Sequence, residues 1–129
     1  MSVDIGQPGG IPNGATFITA ASGNVAAAAA TATLTSAVGR TAYILGAGLF
    51  PMGATAGLIV LATITGLISG TFTIPVAAPV GVLVGGTPVV ASFGGGIPAS
   101  ATNTNIVVSM PSMGSGNTNA AVVAWGFLL

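Results

Sequence analysis

The chain predicts an all-β fold, an eight-stranded antiparallel jelly-roll sandwich with an extended N-terminal arm, on three observations. Gly, Pro, Asn and Ser cut its 129 residues into short runs. Those runs alternate apolar with polar residues at a period of two, and no long stretch has helical periodicity. Eight of them follow one another between turn signals, the pattern of an antiparallel sandwich or barrel.

In chain order, residues 1–14 read as the arm, because Gly6, Pro8, Gly9, Gly10, Pro12 and Gly14 leave no regular run there. Residues 15–129 read as one sandwich domain without an internal linker. A first strand covers Ala15 to Ala20 and ends at Ser22-Gly23-Asn24. The second runs from Val25 to Leu34, where Thr31, Thr33 and Thr35 alternate with Ala32 and Leu34 on a strand with one wet face. The third, Arg40 to Phe50, sets Tyr43, Leu45 and Leu49 on one face and Ile44 and Phe50 on the other. In the fourth, Gly57 to Thr65, Leu58, Val60, Ala62 and Ile64 face one way while Ile59 and Leu61 are apolar on the opposite side. A strand apolar on both faces is normally covered on both, so Ile59 and Leu61 imply a neighbour.

The turn from Gly66 to Gly70 leads to a fifth strand, Thr71 to Ala77, in which Pro75 interrupts the donor ladder and favours an edge. A Gly-rich connection with a short strand around Val82 to Val84 precedes Val89 to Phe93. Gly94-Gly95-Gly96 and the segment Gly114 to Asn119 read as loop tips, since no GK[ST] or helix start accompanies them to make a phosphate cradle. Asn105 to Met110 and Asn119 to Leu129 are the last two strands.

Charge decides what the chain is not. Only Asp4 and Arg40 are charged, and His, Cys, Lys and Glu are absent; an ordinary soluble domain is roughly 25% charged, which here would be about 30 residues. General acid–base catalysis needs a side chain tunable toward neutrality, and the serines have no base to activate them. The chain is therefore expected not to be an enzyme, to hold no cofactor or metal, and to leave nucleic acid alone, since a phosphate surface needs several Lys or Arg. A neutral particle with 52% hydrophobic residues lacks the repulsion that keeps copies apart. Assembly is the expected way to cover its surface.

The strongly positive mean hydropathy raises a membrane question. The window Gly53 to Ile68 is a poor spanning helix, because it is rich in β-branched residues and interrupted by Gly57 and Gly66. A membrane-embedded β-barrel is the better membrane alternative, although aromatics for its girdles make up only 5% of the chain. The opening Met-Ser-Val-Asp-Ile-Gly has no basic region or apolar core of a secretory signal, so synthesis in the cytoplasm is expected.

The candidate contact residues are Asp4, Ile5, Pro8, Ile11 and Pro12 of the arm, together with Arg40, Ile59, Leu61, Trp125, Phe127 and Leu129. Arg40 either bonds backbone carbonyls at its turn or pairs with Asp4 from the arm of another copy, a contact worth roughly 0–1 kcal/mol when exposed. Trp125, Phe127 and Leu129 alternate on one face of the last strand, with Val122, Ala124 and Leu128 on the other. Either they belong to a central core strand or Trp125 and Phe127 anchor a subunit contact.

Five stretches carry a resemblance: Ala27 to Leu34, Gly39 to Ile44, Thr63-Ile64-Thr65-Gly66-Leu67, Ile97 to Thr104, and Gly116 to Ala121. In their order along nearly the whole chain they resemble small capsid decoration (cement) proteins of tailed bacteriophages. The resemblance implies a jelly-roll subunit that sits as a homotrimer on the exterior of an icosahedral virion, bound to the major capsid protein, with no catalytic residues. The alternatives are the membrane-embedded barrel and a receptor- or sugar-binding spike domain.

Overall fold

The computed structural model of the protein describes residues 12–129. Within them lie eight strands: β1 (Thr16–Ala21), β2 (Ala30–Leu34), β3 (Ala42–Phe50), β4 (Leu58–Thr65), β5 (Phe72–Ala78), β6 (Val89–Pro98), β7 (Ile106–Met110) and β8 (Ala121–Leu128). No helix occurs among the described residues. The strands pair antiparallel: β4 with β5, β3 with β6, β2 with β7 and β1 with β8, joined by β3–β8 and β4–β7. The chain thus doubles back once, at the turn from Gly66 to Gly70, and its ribbon of strand pairs folds into two four-stranded sheets. Their orders are β1-β8-β3-β6 and β2-β7-β4-β5.

The sheets form a β-sandwich around one apolar cluster. Leu34, Ile44, Leu49, Ile64, Ile106, Val108, Met110 and Val122 are fully buried in it, with alanines 32, 47, 62 and 124 between them. Small residues alternating with branched ones let the two inner faces interdigitate at the close spacing of stacked sheets. At one open side of the sandwich, Phe72 of β5 meets Phe93 of β6 edge-to-face, with ring centres 5.6 Å apart. Pro75 lies on β5 at the sheet edge, where strands tolerate a residue without an N–H.

Alternation places β4, β5 and β8 as the sequence predicts, but four details differ. In β3 the register shifts between Ile44 and Gly46, so Leu45 is a bulged residue and the facing pattern reverses after it. Ile44 and Leu49 both enter the core, and Tyr43 and Phe50 both face outward, where strict alternation had separated each pair. Gly94 to Gly96 are not a loop tip. They lie inside β6, where Phe93 to Gly96 stand opposite the single Leu45, with Gly94 and Gly96 at φ 57° and 104°. β2 begins at Ala30 rather than Val25. The alanines before it have little strand preference, and Ala27 takes φ 48° while donating its N–H to Asn117. Val82 to Val84 form no strand; a turn closed by Val84 N–H on the Gly81 carbonyl holds them.

Candidate interaction surfaces

The two outer faces of the sandwich carry different chemistry. On the β1-β8-β3-β6 sheet, the register turns Phe17, Tyr43, Phe50, Trp125 and Phe127 outward, five of the seven aromatic residues in the chain. Tyr43 stacks on Phe127 across the β3–β8 pair, centres 4.7 Å apart and planes 11° from parallel. Trp125 lies over Gly46, where a Cβ would come within 2.3 Å of its ring. Gly46 and Gly48 form a trough in β3 that the ring and the Val123 and Phe50 side chains fill, the glycine–aromatic cross-strand pairing that stabilises glycines in sheets. Phe127 is consequently 1% exposed although it points away from the sandwich core.

The outer face of the β2-β7-β4-β5 sheet divides in two. Thr31, Ser109, Thr63 and Thr73 form one row across all four strands, and the Thr31 and Ser109 hydroxyls are 3.4 Å apart. Toward the start of β4, Ile59 opposes Ala77 and Leu61 opposes Pro75; both β4 residues are exposed, Ile59 by 68%. In the loop between β5 and β6, Val80, Leu83 and Val84 are also exposed.

That loop is fastened at its base. Gly53 N–H donates to the Val84 carbonyl (2.7 Å), Gly81 N–H to Ala54 (2.8 Å), Gly86 N–H to Pro51 (3.0 Å) and Ala54 N–H to Pro79 (3.2 Å). Gly53 permits the approach, since a Cβ there would meet the Gly81 carbonyl oxygen at 1.9 Å. Asn117 holds the other side of the same segment. Its Nδ2 donates to the carbonyls of Met52 (2.9 Å), Gly53 (3.2 Å) and Asn119 (3.0 Å), and its Oδ1 accepts from Ala27 N–H. It is the one buried polar side chain among the described residues, and its side-chain hydrogen bonds all go to backbone.

Arg40 serves the opposite end. Its Nη2 donates to the carbonyls of Gly14 (3.1 Å) and Leu128 (3.0 Å), and its Nη1 to the Thr16 hydroxyl (3.1 Å). The guanidinium fork thereby ties the entry of β1 to the exit of β8, which a single ammonium point could not span. Leu129 follows β8, pairs with Thr41 through both backbone groups and is half-exposed. Pro12 opens a turn closed by Ala15 N–H on its carbonyl, with Gly14 at φ 83°. Asp4, Ile5, Pro8 and Ile11 lie outside the described residues, and with them the proposed Arg40–Asp4 pair.

The candidate residues therefore do not converge on one site. Ile59 and Leu61 lie on one outer face, Trp125 and Phe127 on the other, and Pro12, Arg40 and Leu129 at one end. Sequence reasoning missed Leu83, Val84 and Asn117. The first two are apolar residues in a glycine-bounded loop, a signal that was available; Asn117 carries no mark that sets it apart from Asn119. Comparisons with family models, with curated proteins and with solved structures find no match.

Proposed function

We propose that this chain is a non-enzymatic virion structural protein that assembles, as a homotrimer, and decorates and stabilises the exterior of a phage capsid through the major capsid protein. The observation that carries this reading is the surface. Arg40 is the one charged side chain among the described residues, and large apolar side chains are exposed on both faces and at both ends. Such a surface is typical of a subunit shielded by neighbours. The strand orders β1-β8-β3-β6 and β2-β7-β4-β5, with every connection except β4–β5 crossing between sheets, support a jelly roll, the two-sheet design that recurs in viral capsid proteins. Two open sheets over a filled core favour this over a lipid-facing barrel, which needs one closed sheet.

In mechanism, apolar faces lose water against sister subunits and the shell at about 25 cal/mol per Å². Many copies turn individually modest contacts into avidity. Residues 1–14 supply the arm that reaches across a joint to the shell or to the next subunit. The experiment is co-sedimentation with shells assembled from the major capsid protein of the same virus. Removing residues 1–11 keeps the Arg40–Gly14 bond and is expected to lower occupancy while leaving the sandwich folded. Unchanged occupancy would remove the arm from the mechanism, and no binding of the full chain would overturn the reading.

A further inference from the structure

We propose that the open edge of β1 is a strand-addition site whose occupant is residues 2–5 from the arm of a neighbouring copy, with that copy's Asp4 set beside Arg40. This rests on the assembly reading above and names the contact within it.

The four edge strands differ in how they are protected. β5 carries Pro75, and the bulge at Phe93 to Gly96 distorts β6; both are barriers to pairing with another chain. β2 is the shortest of the four and follows Ala27 at φ 48°. None of these devices is found in β1. It holds no Pro, Gly or charge, its Thr16, Phe17, Ile18 and Thr19 suit a strand, and it keeps an unbroken register with β8. Ser22 N–H donates to the Val122 carbonyl, which fixes the phase of that ladder. Thr16, Ile18 and Ala20 bond toward β8, so Phe17, Thr19 and Ala21 direct their N–H and C=O groups to the open side. All three are exposed, and no strand among the described residues pairs with them there. Such a row of backbone groups is the template that an extended segment joins by strand addition.

Charge selects the occupant. Asp4 is the only acidic side chain in the sequence and Arg40 the only basic one. Arg40 stands half-buried at the entry of β1. It gives three of its five N–H donors to Gly14, Thr16 and Leu128, which leaves two for a carboxylate. Thr16 shares the core side of β1 with Ile18 and Ala20, and Phe17 lies on the outer side. An added strand with Asp4 on the Thr16 side therefore carries Val3 and Ile5 on the Phe17 side, where that ring is 52% exposed. The chain's own arm fits less well. Pro12 and Ala15 close a turn just before β1, so the arm residues returning beside it would be 6–11, four of them Gly or Pro, which strands disfavour. The stretch from Pro12 back to Asp4 extends to roughly 28 Å at about 3.3–3.6 Å per residue, enough to leave its own β1 and reach a second copy. An arm on a neighbour's edge is a heterologous contact that can close into a ring, as a trimer requires. Pairing β1 with β1 across a two-fold axis would stop at two chains.

The chain has no cysteine, so introduced thiols report alone. A variant carrying Val3→Cys and Phe17→Cys, treated with a short bifunctional maleimide, is expected to give covalent dimers and trimers. Val3→Cys combined with Leu83→Cys, 78% exposed at the opposite end, is expected to stay single chains. Thr19→Pro removes an N–H from the open side only. It should fall to 12.2 kDa by light scattering while keeping a β-type circular dichroism spectrum. Asp4→Lys leaves the sandwich untouched, sets like charges together at Arg40, and should shift the mass the same way. Links formed only within one chain, no links in the Val3 and Phe17 variant, or an unchanged mass of Asp4→Lys would each overturn the proposal. Linked trimers that do not bind shells would refute the capsid reading alone; shells decorated by the Val3 and Phe17 variant without links between chains would refute this contact alone.

Discussion

The outer faces of the two sheets lie on opposite sides of one core and follow different rules. On the β1-β8-β3-β6 sheet, Trp125 fills the trough over Gly46 and Phe127 stacks on Tyr43, so outward-facing side chains pack against their own sheet. On the β2-β7-β4-β5 sheet, Thr31, Ser109, Thr63 and Thr73 are hydroxyls that water can serve, and the apolar residues beside them, Ile59 and Leu61, stay exposed. The first face packs Trp125 and Phe127 onto its own sheet, although Phe17 and Val90 stay exposed. The second leaves Ile59 and Leu61 in the open.

Mutations should separate the two. The largest effect belongs to Gly126→Ala, whose Cβ would lie 1.9 Å from the Tyr43 carbonyl oxygen, between paired strands that cannot part. It should cost more than about 4 kcal/mol, the range that marks a broken fold, and yield no cooperative urea transition. Phe127→Ala should cost about 3–5 kcal/mol by the same measurement, as for a fully buried ring, even though the residue points outward. Arg40→Ala leaves the Gly14 and Leu128 carbonyls without their charged donor and should lower stability by about 2 kcal/mol, with Arg40→Lys recovering only part. Thr63→Val should change stability by less than about 0.5 kcal/mol, as at an ordinary surface site. If Thr63→Val proved as costly as Phe127→Ala at equal protein concentration, the contrast between the faces would be wrong.

Much of this fold was legible in period-two alternation. It placed β4, β5 and β8 with their inner faces, and Pro75 at an edge, because each strand keeps an unbroken pleat. It failed where the pleat breaks. Leu45 looks like any other strand residue, yet bulging there reverses the facing of Leu49 and Phe50. Gly94 to Gly96 look like a turn, since a glycine run within a strand needs a partner bulge that sequence does not display. The exposed apolar residues were half visible: Ile59 and Leu61 stood out as apolar on the outer side of a strand. The Val80–Val84 loop read instead as a connection with a short strand, because its order comes from backbone bonds to residues 51–54 far away in sequence. Arg40 was recognised as a turn residue bonding carbonyls or reaching for Asp4; that its carbonyls belong to Gly14 and Leu128 depends on β1–β8 pairing.

The central claim is that this nearly charge-free, apolar-surfaced sandwich persists in water as part of a many-copy assembly. Sedimentation equilibrium of the purified full chain, from about micromolar to millimolar concentration, tests it directly through mass action. The account predicts a mass that is a multiple of 12.2 kDa and shifts toward the larger species as concentration rises. A soluble species of 12.2 kDa across the whole range would contradict it.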